Sequence, residues 1–375
     1  MKYFLIAGEA SGDLHAASLI NAIKRTDAKA QFAFLGGDLM AEASGETPVV
    51  HYRDMAYMGF AEVLRHLPAI RRNFKAARKA IAASRPDCLI LIDYPSFNLK
   101  MAKYARKLGI KVFYYIPPKV WAWKQWRVKT IRKVVDRVFA IFPFEVDFYA
   151  AHDYEVTYGG NPSVEEVDRA LQKVMPRQEF IRAHHLQDKP LIALLPGSRA
   201  GEIRENLKIM TAAMKQFPQY RGVVAGAPGI DPGYYAQFTS LPVVHSSTID
   251  LLANARAALV TSGTATLEAA LAGVPQVALY QGGGSEMLYK IMKRVLKIEY
   301  VTLPNLIAGR PVIPELLMHL CTADAAAAEL GKILPDREAR AQMTEGYRRI
   351  RTILGGNAAS ETVASEIFRI LSENV

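Results

Sequence analysis

Short, uninterrupted apolar runs alternate along this chain with longer stretches in which apolar residues recur every three or four positions. Residues 191–195 (LIALL) are the clearest run, and they predict a strand buried on both faces, as in a parallel sheet. Strands are also predicted at residues 3–7, 32–35, 87–93, 111–116, 137–143, 155–158, 222–225, 243–244, 257–260, 274–280 and 300–303. Strands that alternate with helices predict an α/β protein.

One long helical stretch, residues 62–83, is both amphipathic and basic. Its apolar residues recur at intervals of three and four, at positions 63, 67, 70, 74, 77 and 81. Seven Lys and Arg lie in or just after it, and Glu62 is its only acid. Two interpretations remain open: a core-packed helix with a solvated outer face, or a helix that lies on anionic lipid.

The length of 375 residues exceeds what one ordinary core accommodates, so two domains are expected. The sequence Gly-Gly-Asn-Pro at 159–162 has hinge character and precedes a polar helical stretch, so we place the boundary there, with domains at 1–163 and 164–349. The first 163 residues hold 24 Lys and Arg against 15 Asp and Glu, which gives nine of the formal net charge of +11. The first domain is therefore expected to meet an anionic partner.

Composition excludes several classes of protein. No apolar run approaches the roughly 20 residues of a membrane-spanning helix. The first residues turn acidic early and lack a small-residue cleavage site, so they predict a strand rather than a signal peptide and a chain that stays in the cytoplasm. Cys88 and Cys321 fall in apolar stretches and are expected to be inert core thiols. No Cys/His spacing suits zinc, and no metal site is predicted.

The strand at 191–195 is followed by Pro196, Gly197, Ser198 and Arg199. Helical spacing begins at Arg199, so a helix start is predicted near Ser198. A helix start after a tight glycine turn directs free backbone N–H groups at one point, where the helix dipole favours an anion. The Arg199 guanidinium suits phosphate oxygens. The sequence therefore predicts a diphosphate site, and a plain strand–helix connection capped by Ser198 is the alternative.

A second helix start of this kind follows the strand at 257–260. Ser262, Gly263 and Thr264 supply amides and hydroxyls, and Glu268 lies one helical turn after Thr264 on the same face. A carboxylate in that position accepts hydrogen bonds from vicinal hydroxyls such as those of a ribose. Together the two helix starts predict a nucleoside diphosphate site.

In the first half, a strand–loop–helix element contains Gly8, Glu9, Gly12 and Asp13, but its spacing is not G-x-G-x-x-G. Glu9 would repel a pyrophosphate, so we reject a dinucleotide site. Carboxylates there suit sugar hydroxyls, or else pair with the helix N-terminus. Asp93 ends the buried strand at 87–93, where a raised pKa would make it a general base; capping the turn before a proline is the alternative.

All three tryptophans, Trp121, Trp123 and Trp126, lie within six residues and are interleaved with lysines. Such a cluster suits base stacking, an acyl or sugar ligand, or a lipid interface. Nucleic acid is disfavoured because no nucleic-acid-binding module accompanies the cluster.

Five motifs together resemble the lipid-A-disaccharide synthase family: GEASGD at 8–13, VWAWKQ at 120–125, PGSR at 196–199, SGTATLE at 262–268 and LPNLIAGR at 303–310. The resemblance implies the glycosyltransferase B fold, with two Rossmann-like domains facing across a cleft and a closing helix, about residues 350–375, that returns to the first domain. It implies an inverting enzyme that joins UDP-2,3-diacylglucosamine to 2,3-diacylglucosamine-1-phosphate. The products are a β-1,6-linked disaccharide phosphate and UDP, made at the cytoplasmic face of the inner membrane of Gram-negative bacteria.

The same resemblance implies roles for individual residues. Arg199, Gly197 and Ser198 would stabilise the departing diphosphate, and Glu268 would hold the ribose. Asp93 would deprotonate the acceptor 6-hydroxyl, with Glu9 orienting the acceptor. The residues implied to bind substrate are Gly8, Ser11, Gly12 and Asn305, the last in a loop that ends at Gly309 and Arg310. No cofactor and no metal are implied.

Some positions leave the resemblance incomplete. Ser96 stands where some members of the resembled family carry a second aspartate, which argues against a pair of catalytic carboxylates. His15 is an alternative base, and residues 281–285 match the family less well, which leaves the donor acyl contacts unassigned. The expected partners are the two acylated sugars and an anionic membrane surface, with no nucleic acid and the oligomeric state open. Two rivals remain: a UDP-N-acetylglucosamine epimerase or other soluble UDP-sugar enzyme of the same fold, and a non-catalytic lipid- or nucleotide-binding protein.

Overall fold

The computed structural model describes residues 1–55, 67–122, 124–281, 299–335, 338–356 and 358–373. These residues form two compact units, one of Met1–Pro162 with Asn357–Val375 and the other of Ser163–Gly356. Each unit contains one parallel sheet with helices, so the predicted α/β class with two Rossmann-like domains is confirmed.

Seven parallel strands form the sheet of the first unit, in the order β3-β2-β1-β4-β5-β6-β7. These strands are β1 (Lys2–Ala7), β2 (Gln31–Gly36), β3 (Val50–His51), β4 (Cys88–Ile92), β5 (Lys111–Tyr115), β6 (Arg137–Ala140) and β7 (Thr157–Tyr158). Its helices are α1 (Ala10–Thr26), α2 (Asp38–Ser44), α3 (Leu67–Ser84), α4 (Pro95–Lys107), α5 (Arg127–Val134), α6 (Pro143–Ala150) and the C-terminal α16 (Ala359–Ser372), with a 3₁₀ turn at Tyr52–Asp54.

Each face of this sheet is covered by helices. On one face, apolar residues of α3, α4 and α5 pack together in a core that includes Ile81, Met101 and Ile131. On the other face, α1 and α16 supply Ile20 and Ile367. Burial on both faces is the reason that β4 is apolar throughout. The predicted basic helix appears as α3, and residues 62–66 of that prediction lie outside the described residues.

Six parallel strands form the sheet of the second unit, in the order β10-β9-β8-β11-β12-β13. These strands are β8 (Leu191–Leu195), β9 (Arg221–Gly226), β10 (Val243–His245), β11 (Ala255–Thr261), β12 (Gln276–Tyr280) and β13 (Glu315–Leu317). The helices are α7 (Pro162–Leu171), α8 (Arg177–Ala183), α9 (Ala200–Met214), α10 (Pro232–Tyr235), α11 (Thr248–Ala253), α12 (Thr264–Leu271), α13 (Leu303–Ala308), α14 (Ala323–Ile333) and α15 (Glu338–Leu354), with a 3₁₀ turn at Met318–Leu320.

The strand predicted at 191–195 is confirmed to the residue, and all five of its residues are buried. The strand predicted at 300–303 is wrong, because the helix α13 begins at Leu303. Pro304 in the first turn of α13 favours a helix start, since its missing N–H has no intrahelical partner there in any case. The short strand β13 was not predicted.

Among the described residues, no helix is long and apolar enough to cross a membrane.

Candidate active site

In the first unit, the loops that follow β1 and β4 are neighbours at the carboxyl edge of the sheet. The strand order reverses between β1 and β4, and Ala7 at the end of β1 pairs with Ile92 at the end of β4. Glu9 and Asp93 follow these two strand ends closely. Open α/β sheets bind ligands at such a reversal point. The sheet therefore places side by side the two segments that carry these carboxylates.

The backbone of Asp93 is held in an uncommon conformation. Asp93 has φ 46° and Tyr94 has φ 45°, so two consecutive non-glycine residues occupy the left-handed region, at a cost of roughly 1–3 kcal/mol each. The Asp93 carbonyl accepts hydrogen bonds from Tyr114 Oη and Asn98 Nδ2, both at 2.7 Å. Its amide donates to the Ile116 carbonyl at 3.2 Å. These contacts keep the backbone of Asp93 in this conformation and so restrain the position from which its half-buried side chain projects.

The ring of Tyr94 covers the loop after β1. A Cβ added to Gly8 would overlap this ring, so only glycine allows the approach. Tyr94 Oη donates to the Met55 carbonyl at 2.7 Å, which anchors the far end of the side chain. Sequence reasoning missed the supporting residues Tyr94, Tyr114 and Asn98. The one available signal was Pro95, because the residue before a proline is disfavoured in the α-helical region.

The remaining residues of the motif at 8–13, together with His15 of α1, divide into accessible and structural groups. Glu9 is the half-buried N-cap residue of α1, and Ser11 is exposed. Gly12 is buried, and a Cβ there would lie 3.3 Å from the Cβ of Ala7, so this glycine permits close packing of α1 on the sheet. His15 is half-buried on α1.

Asp13 is engaged in a structural role at the start of α2. Its carboxylate accepts hydrogen bonds from the backbone amides of Gly37 (2.7 Å), Leu39 (3.1 Å) and Met40 (3.2 Å). Asp13 is 2% exposed, so this carboxylate is sequestered from solvent. Of the two interpretations of Asp13, pairing with a helix N-terminus is the observed one, although the helix is α2 rather than its own.

In the second unit, the turn between β8 and α9 already holds a carboxylate. The Ser198 amide donates to Glu202 Oε2 at 3.1 Å, and Arg199 Nη1 lies 3.4 Å from Glu202 Oε1. Gly197 has φ 115°, and a Cβ there would lie 2.6 Å from Glu202 Oε2. The N-terminal end of α9 therefore interacts with an anionic group that belongs to the protein itself.

The predicted start of α9 near Ser198 is two residues early. The helix begins at Ala200, with Arg199 as its N-cap residue and no hydrogen bond from an N-cap side chain. The alternative of Ser198 as the N-cap residue is therefore wrong. Ser198 instead donates its backbone amide to the Glu202 carboxylate. The Arg199 side chain is 57% exposed and accessible to a ligand.

The second turn lies between β11 and α12. Gly263 is the N-cap residue of α12 and provides no side-chain cap. The Ser262 amide donates to the Leu279 carbonyl at 2.9 Å, so that amide belongs to the sheet and is unavailable to a ligand. Thr264 is exposed at the first helical position and Glu268 is half-buried one turn later.

The two turns of the second unit are adjacent. β8 and β11 are paired strands, with Leu195 opposite Val260, and the strand order reverses between them. Asn206, a buried residue that the sequence did not single out, connects the segment after β8 with the segment after β12. Its Nδ2 donates to the Pro196 carbonyl at 3.4 Å, and its Oδ1 accepts from the Gln281 amide at 3.2 Å. The sheet thus brings the predicted diphosphate residues to one edge.

The sequence suggested that Asn305 opens a loop, and this prediction is wrong. Asn305 lies within α13 and is 2% exposed. Its Oδ1 accepts from the amides of Val312 (2.7 Å) and Ile313 (2.9 Å). Its Nδ2 donates to the Ile313 carbonyl and to Glu315 Oε1, both at 2.9 Å. All four hydrogen-bonding positions of the amide are used. Asn305 therefore positions the segment that leads into β13, and we do not assign it a contact with substrate.

The tryptophans differ in their surroundings. Trp121 is 8% exposed, and its Nε1 donates to Glu145 Oε1 at 3.0 Å, whereas Trp126 is 63% exposed. Trp123 lies outside the described residues. Trp121 is a core residue, so the three tryptophans do not form one exposed cluster.

Two further predictions concern cysteines and the 281–285 segment. Cys88 and Cys321 are both free and buried, as predicted, and burial raises the pKa of each thiol, to about 11 for Cys321. Across the described ranges, no three His, Cys, Asp or Glu side chains form a group suited to a metal ion. Of residues 281–285, only Gln281 is among the described residues.

Comparison with known proteins identifies the family. The family model described as lipid-A-disaccharide synthetase matches residues 3–368. The chain belongs to this family. A relative from Geobacter sulfurreducens named lipid-A-disaccharide synthase is 36% identical over 384 residues, covering 100% of this chain and 98% of the relative. The resemblance seen in the five motifs is thus confirmed, and the chain is a glycosyltransferase of lipid A biosynthesis.

Solved structures support the fold. A UDP-GlcNAc 2-epimerase from Neisseria meningitidis, bound to UDP-GlcNAc, has a TM-score of 0.70 at 12% identity and covers 98% of this chain and 100% of its own. The calicheamicin glycosyltransferase CalG4 has a TM-score of 0.61 at 17% identity, covering 100% of this chain and 99% of its own. At these identities the likeness concerns the fold alone, so the epimerase neighbours do not favour the rival epimerase activity.

Proposed function

We propose that this member of the family transfers a 2,3-diacylglucosamine unit from UDP to the 6-hydroxyl of 2,3-diacylglucosamine-1-phosphate, with inversion at the anomeric carbon. The family match over residues 3–368 is the observation that carries the proposal. The products are the β-1,6-linked disaccharide-1-phosphate and UDP. We further propose that the first unit, Met1–Pro162 with Asn357–Val375, binds the acceptor and that the second, Ser163–Gly356, binds the UDP-sugar.

The second unit is proposed to bind the donor through its two adjacent turns. As the bond between the anomeric carbon and the β-phosphate oxygen breaks, negative charge accumulates on the diphosphate. Arg199 and the amides at Gly197 and Ser198 would stabilise that charge, as would the amide end of α12 at Gly263 and Thr264. Glu268 would accept hydrogen bonds from the ribose hydroxyls, with the Ser262 hydroxyl as a further contact.

The first unit is proposed to activate the acceptor. The Asp93 carboxylate takes the proton of the 6-hydroxyl while the oxygen attacks the anomeric carbon from the face opposite the diphosphate. Glu9 would orient the acceptor hydroxyls, and Gly8, Ser11 and Gly12 would border the sugar. The hydrogen bonds of Tyr114 and Asn98 to the Asp93 backbone carbonyl support this role, because they restrain the backbone from which the carboxylate projects.

The acylated substrates imply work at a membrane surface, and we propose a peripheral location at the cytoplasmic face of the bacterial inner membrane. The charge of the first unit supports this proposal. Helices α3, α4 and α5 pack side by side and carry thirteen Lys and Arg and no Asp or Glu. Such a face attracts anionic lipids.

The deciding experiment incubates the protein with both acylated sugars in detergent and measures UDP release together with disaccharide formation. Replacing Asp93→Asn should lower turnover roughly 10²–10⁴-fold while UDP binding persists, because a general base contributes about that factor. Asp147→Asn removes an exposed carboxylate of the same unit and serves as the control.

Two results would contradict the proposed reaction, and a third would contradict only the role of Asp93 as its base. Conversion of UDP-N-acetylglucosamine to its 2-epimer without an acceptor would support the epimerase. Binding of UDP without any turnover of the two acylated sugars would support the non-catalytic protein. Full turnover by the Asp93→Asn variant would leave the reaction in place and transfer the role of base to another group, with His15 tested next.

A further inference from the structure

Three segments of the first unit come together beside Asp93 at the carboxyl edge of its sheet. The ends of β4 and β5 are paired, and the amide of Asp93 donates to the carbonyl of Ile116 at 3.2 Å. The segment after β5 carries Lys119 and leads into α5, which begins at Arg127. Two cationic residues from outside the Asp93 segment therefore belong to this edge of the sheet.

Lys119 is the exposed member of a buried segment. Its neighbours on both sides, residues 117–118 and 120–121, are buried, so the backbone is anchored while the lysine side chain reaches solvent. Desolvation lowers the pKa of the Lys119 ammonium, and the carboxylates of Asp93 and Glu145 oppose that decrease. A side chain that is exposed and yet partly desolvated is crowded by protein on one side and open to a ligand on the other. Its charge lies within electrostatic range of the Asp93 carboxylate.

Arg127 approaches the same place from the start of α5. Its Nη2 donates to the hydroxyl of Ser96, three residues after Asp93, at 3.4 Å. Burial raises the pKa of the Tyr114 hydroxyl; the charge of Asp93 adds to this increase, and that of Arg127 opposes it. Both charges therefore act on one hydroxyl, which itself donates to the Asp93 carbonyl at 2.7 Å.

The charges at this edge of the sheet leave room for an added anion. In the described part of the chain, neither Lys119 nor Arg127 forms an ion pair with a carboxylate. By contrast, Arg106 of α4 pairs with Asp136. An anion bound between the two cations would be attracted by both, and this attraction would offset its repulsion by the Asp93 carboxylate.

The acceptor of the proposed reaction carries such an anion close to its nucleophile. In a glucosamine-1-phosphate, C5 bears the 6-hydroxymethyl group and C1 bears the phosphate, and both carbons are bonded to the ring oxygen. A sugar whose 6-hydroxyl reaches the Asp93 carboxylate therefore brings its phosphate into the surroundings of that carboxylate. A phosphate monoester is close to a dianion at neutral pH, so without nearby cations the carboxylate would repel it.

We propose that Lys119 and Arg127 form a subsite that binds the 1-phosphate of the acceptor sugar. The Arg127 guanidinium donates hydrogen bonds to the phosphate oxygens, the Lys119 ammonium supplies a second charge, and the Ser96 hydroxyl orients the guanidinium. Binding here places the 6-hydroxyl at Asp93 and selects a sugar 1-phosphate over the unphosphorylated sugar. This subsite presupposes the proposed function, because Asp93 is the base to which it delivers the hydroxyl.

The test compares two acceptors that differ only in the phosphate, 2,3-diacylglucosamine-1-phosphate and 2,3-diacylglucosamine, with saturating donor in detergent. The wild type should favour the phosphorylated acceptor in kcat/KM by at least about tenfold, since hydrogen bonds between charged groups are worth that factor or more. The variant Lys119→Gln with Arg127→Gln should lose this preference through a higher KM for the phosphorylated acceptor. Because both acceptors carry the same acyl chains, weaker attachment to the micelle would affect both equally.

Two further variants serve as controls. Arg25→Gln with Lys29→Gln removes one arginine and one lysine from exposed positions at the opposite, amino edge of the same sheet. This variant should keep the preference for the phosphorylated acceptor within about threefold, because exposed charges far from a ligand contribute little. Lys119→Arg keeps the charge and should keep most of the preference. Circular dichroism verifies that each variant is folded.

Equal losses on the two acceptors would mean that the cations position Asp93 rather than bind phosphate, and would overturn the proposal. A higher KM for the donor alone would assign them to the donor diphosphate, with the same consequence, and so would no loss at all. If the wild type turns over neither acceptor, the proposed function has failed, and calorimetry with dissolved glucosamine-1-phosphate and glucosamine still decides the subsite. Binding of the phosphorylated sugar that the Lys119 and Arg127 variant abolishes would support it, and no preference for that sugar would overturn it.

Discussion

At the scale of single residues, the most informative contact is that of Glu202 with the turn that precedes its own helix. The sequence indicated the anion-binding character of Gly197, Ser198 and Arg199 from local chemistry alone. It did not indicate that the carboxylate of Glu202, three residues after Arg199, contacts this turn. A diphosphate bound at this turn must either displace that carboxylate or share the site with its charge.

Replacing Glu202→Gln should therefore strengthen UDP binding. Removing the competing charge near a helix N-terminus is worth about 1 kcal/mol, so we expect the dissociation constant of UDP to fall by roughly threefold to tenfold. Isothermal titration calorimetry with UDP measures it. Glu205→Gln removes a charge from the same helix away from the turn and should change the constant by less than about twofold. Weaker binding by Glu202→Gln would mean that the carboxylate positions Arg199 for the ligand.

At the scale of elements, the start of α6 shows how a buried carboxylate joins two segments. Glu145 is 1% exposed; it accepts hydrogen bonds from Trp121 Nε1 at 3.0 Å and from the amides of Ile141 (3.0 Å) and Phe142 (3.1 Å). Burial raises the pKa of Glu145 to about 7, and these hydrogen bonds oppose the increase. The carboxylate thus connects the β6–α6 junction to the segment that contains Trp121.

This raised pKa predicts how stability depends on pH. Between the ordinary pKa and about 7 the folded protein binds more protons than the unfolded chain, so the free energy of unfolding falls as the pH rises through that range. The loss reaches about 3 kcal/mol. The Glu145→Gln variant has no carboxyl group there and should not show this loss. As the pH rises, the free energy of unfolding of the wild type should therefore fall relative to that of the variant.

Urea unfolding followed by tryptophan fluorescence measures this difference, because all three tryptophans lie in the first unit. Glu42→Gln, at an exposed position of α2, controls for the loss of a carboxylate. Parallel pH profiles for the wild type and Glu145→Gln would contradict the prediction.

At the scale of the whole molecule, the chain returns to its first unit at the end. Val363, Ile367 and Leu371 of α16 pack with α1 and the sheet, in the same core as β1. The N-terminal and C-terminal segments of the sequence therefore stabilise one unit, while residues 163–356 form their own.

Replacing Ile367→Ala should destabilise the first unit selectively. Ile367 is fully buried, and such a truncation costs about 2–5 kcal/mol through lost burial and the cavity left behind. The unfolding transition reported by tryptophan fluorescence should move to lower urea concentration. Leu330→Ala, fully buried in α14 of the second unit, should leave that transition in place. An equal shift with both variants would show that the two units unfold as one.

The sequence by itself determined the features that depend on neighbours along the chain. Apolar runs predicted the strands β8 and β4, and the glycine turn with Arg199 predicted that the N-terminal end of α9 favours an anion. The tertiary structure decided which strands are adjacent, and therefore that the segments carrying Glu9 and Asp93 are neighbours and that the two turns of the second unit share an edge. It also decided that Asn305 and Trp121 are buried. Periodicity and turn chemistry are local, whereas strand order, burial and the partner of each polar group depend on packing between residues far apart in the chain.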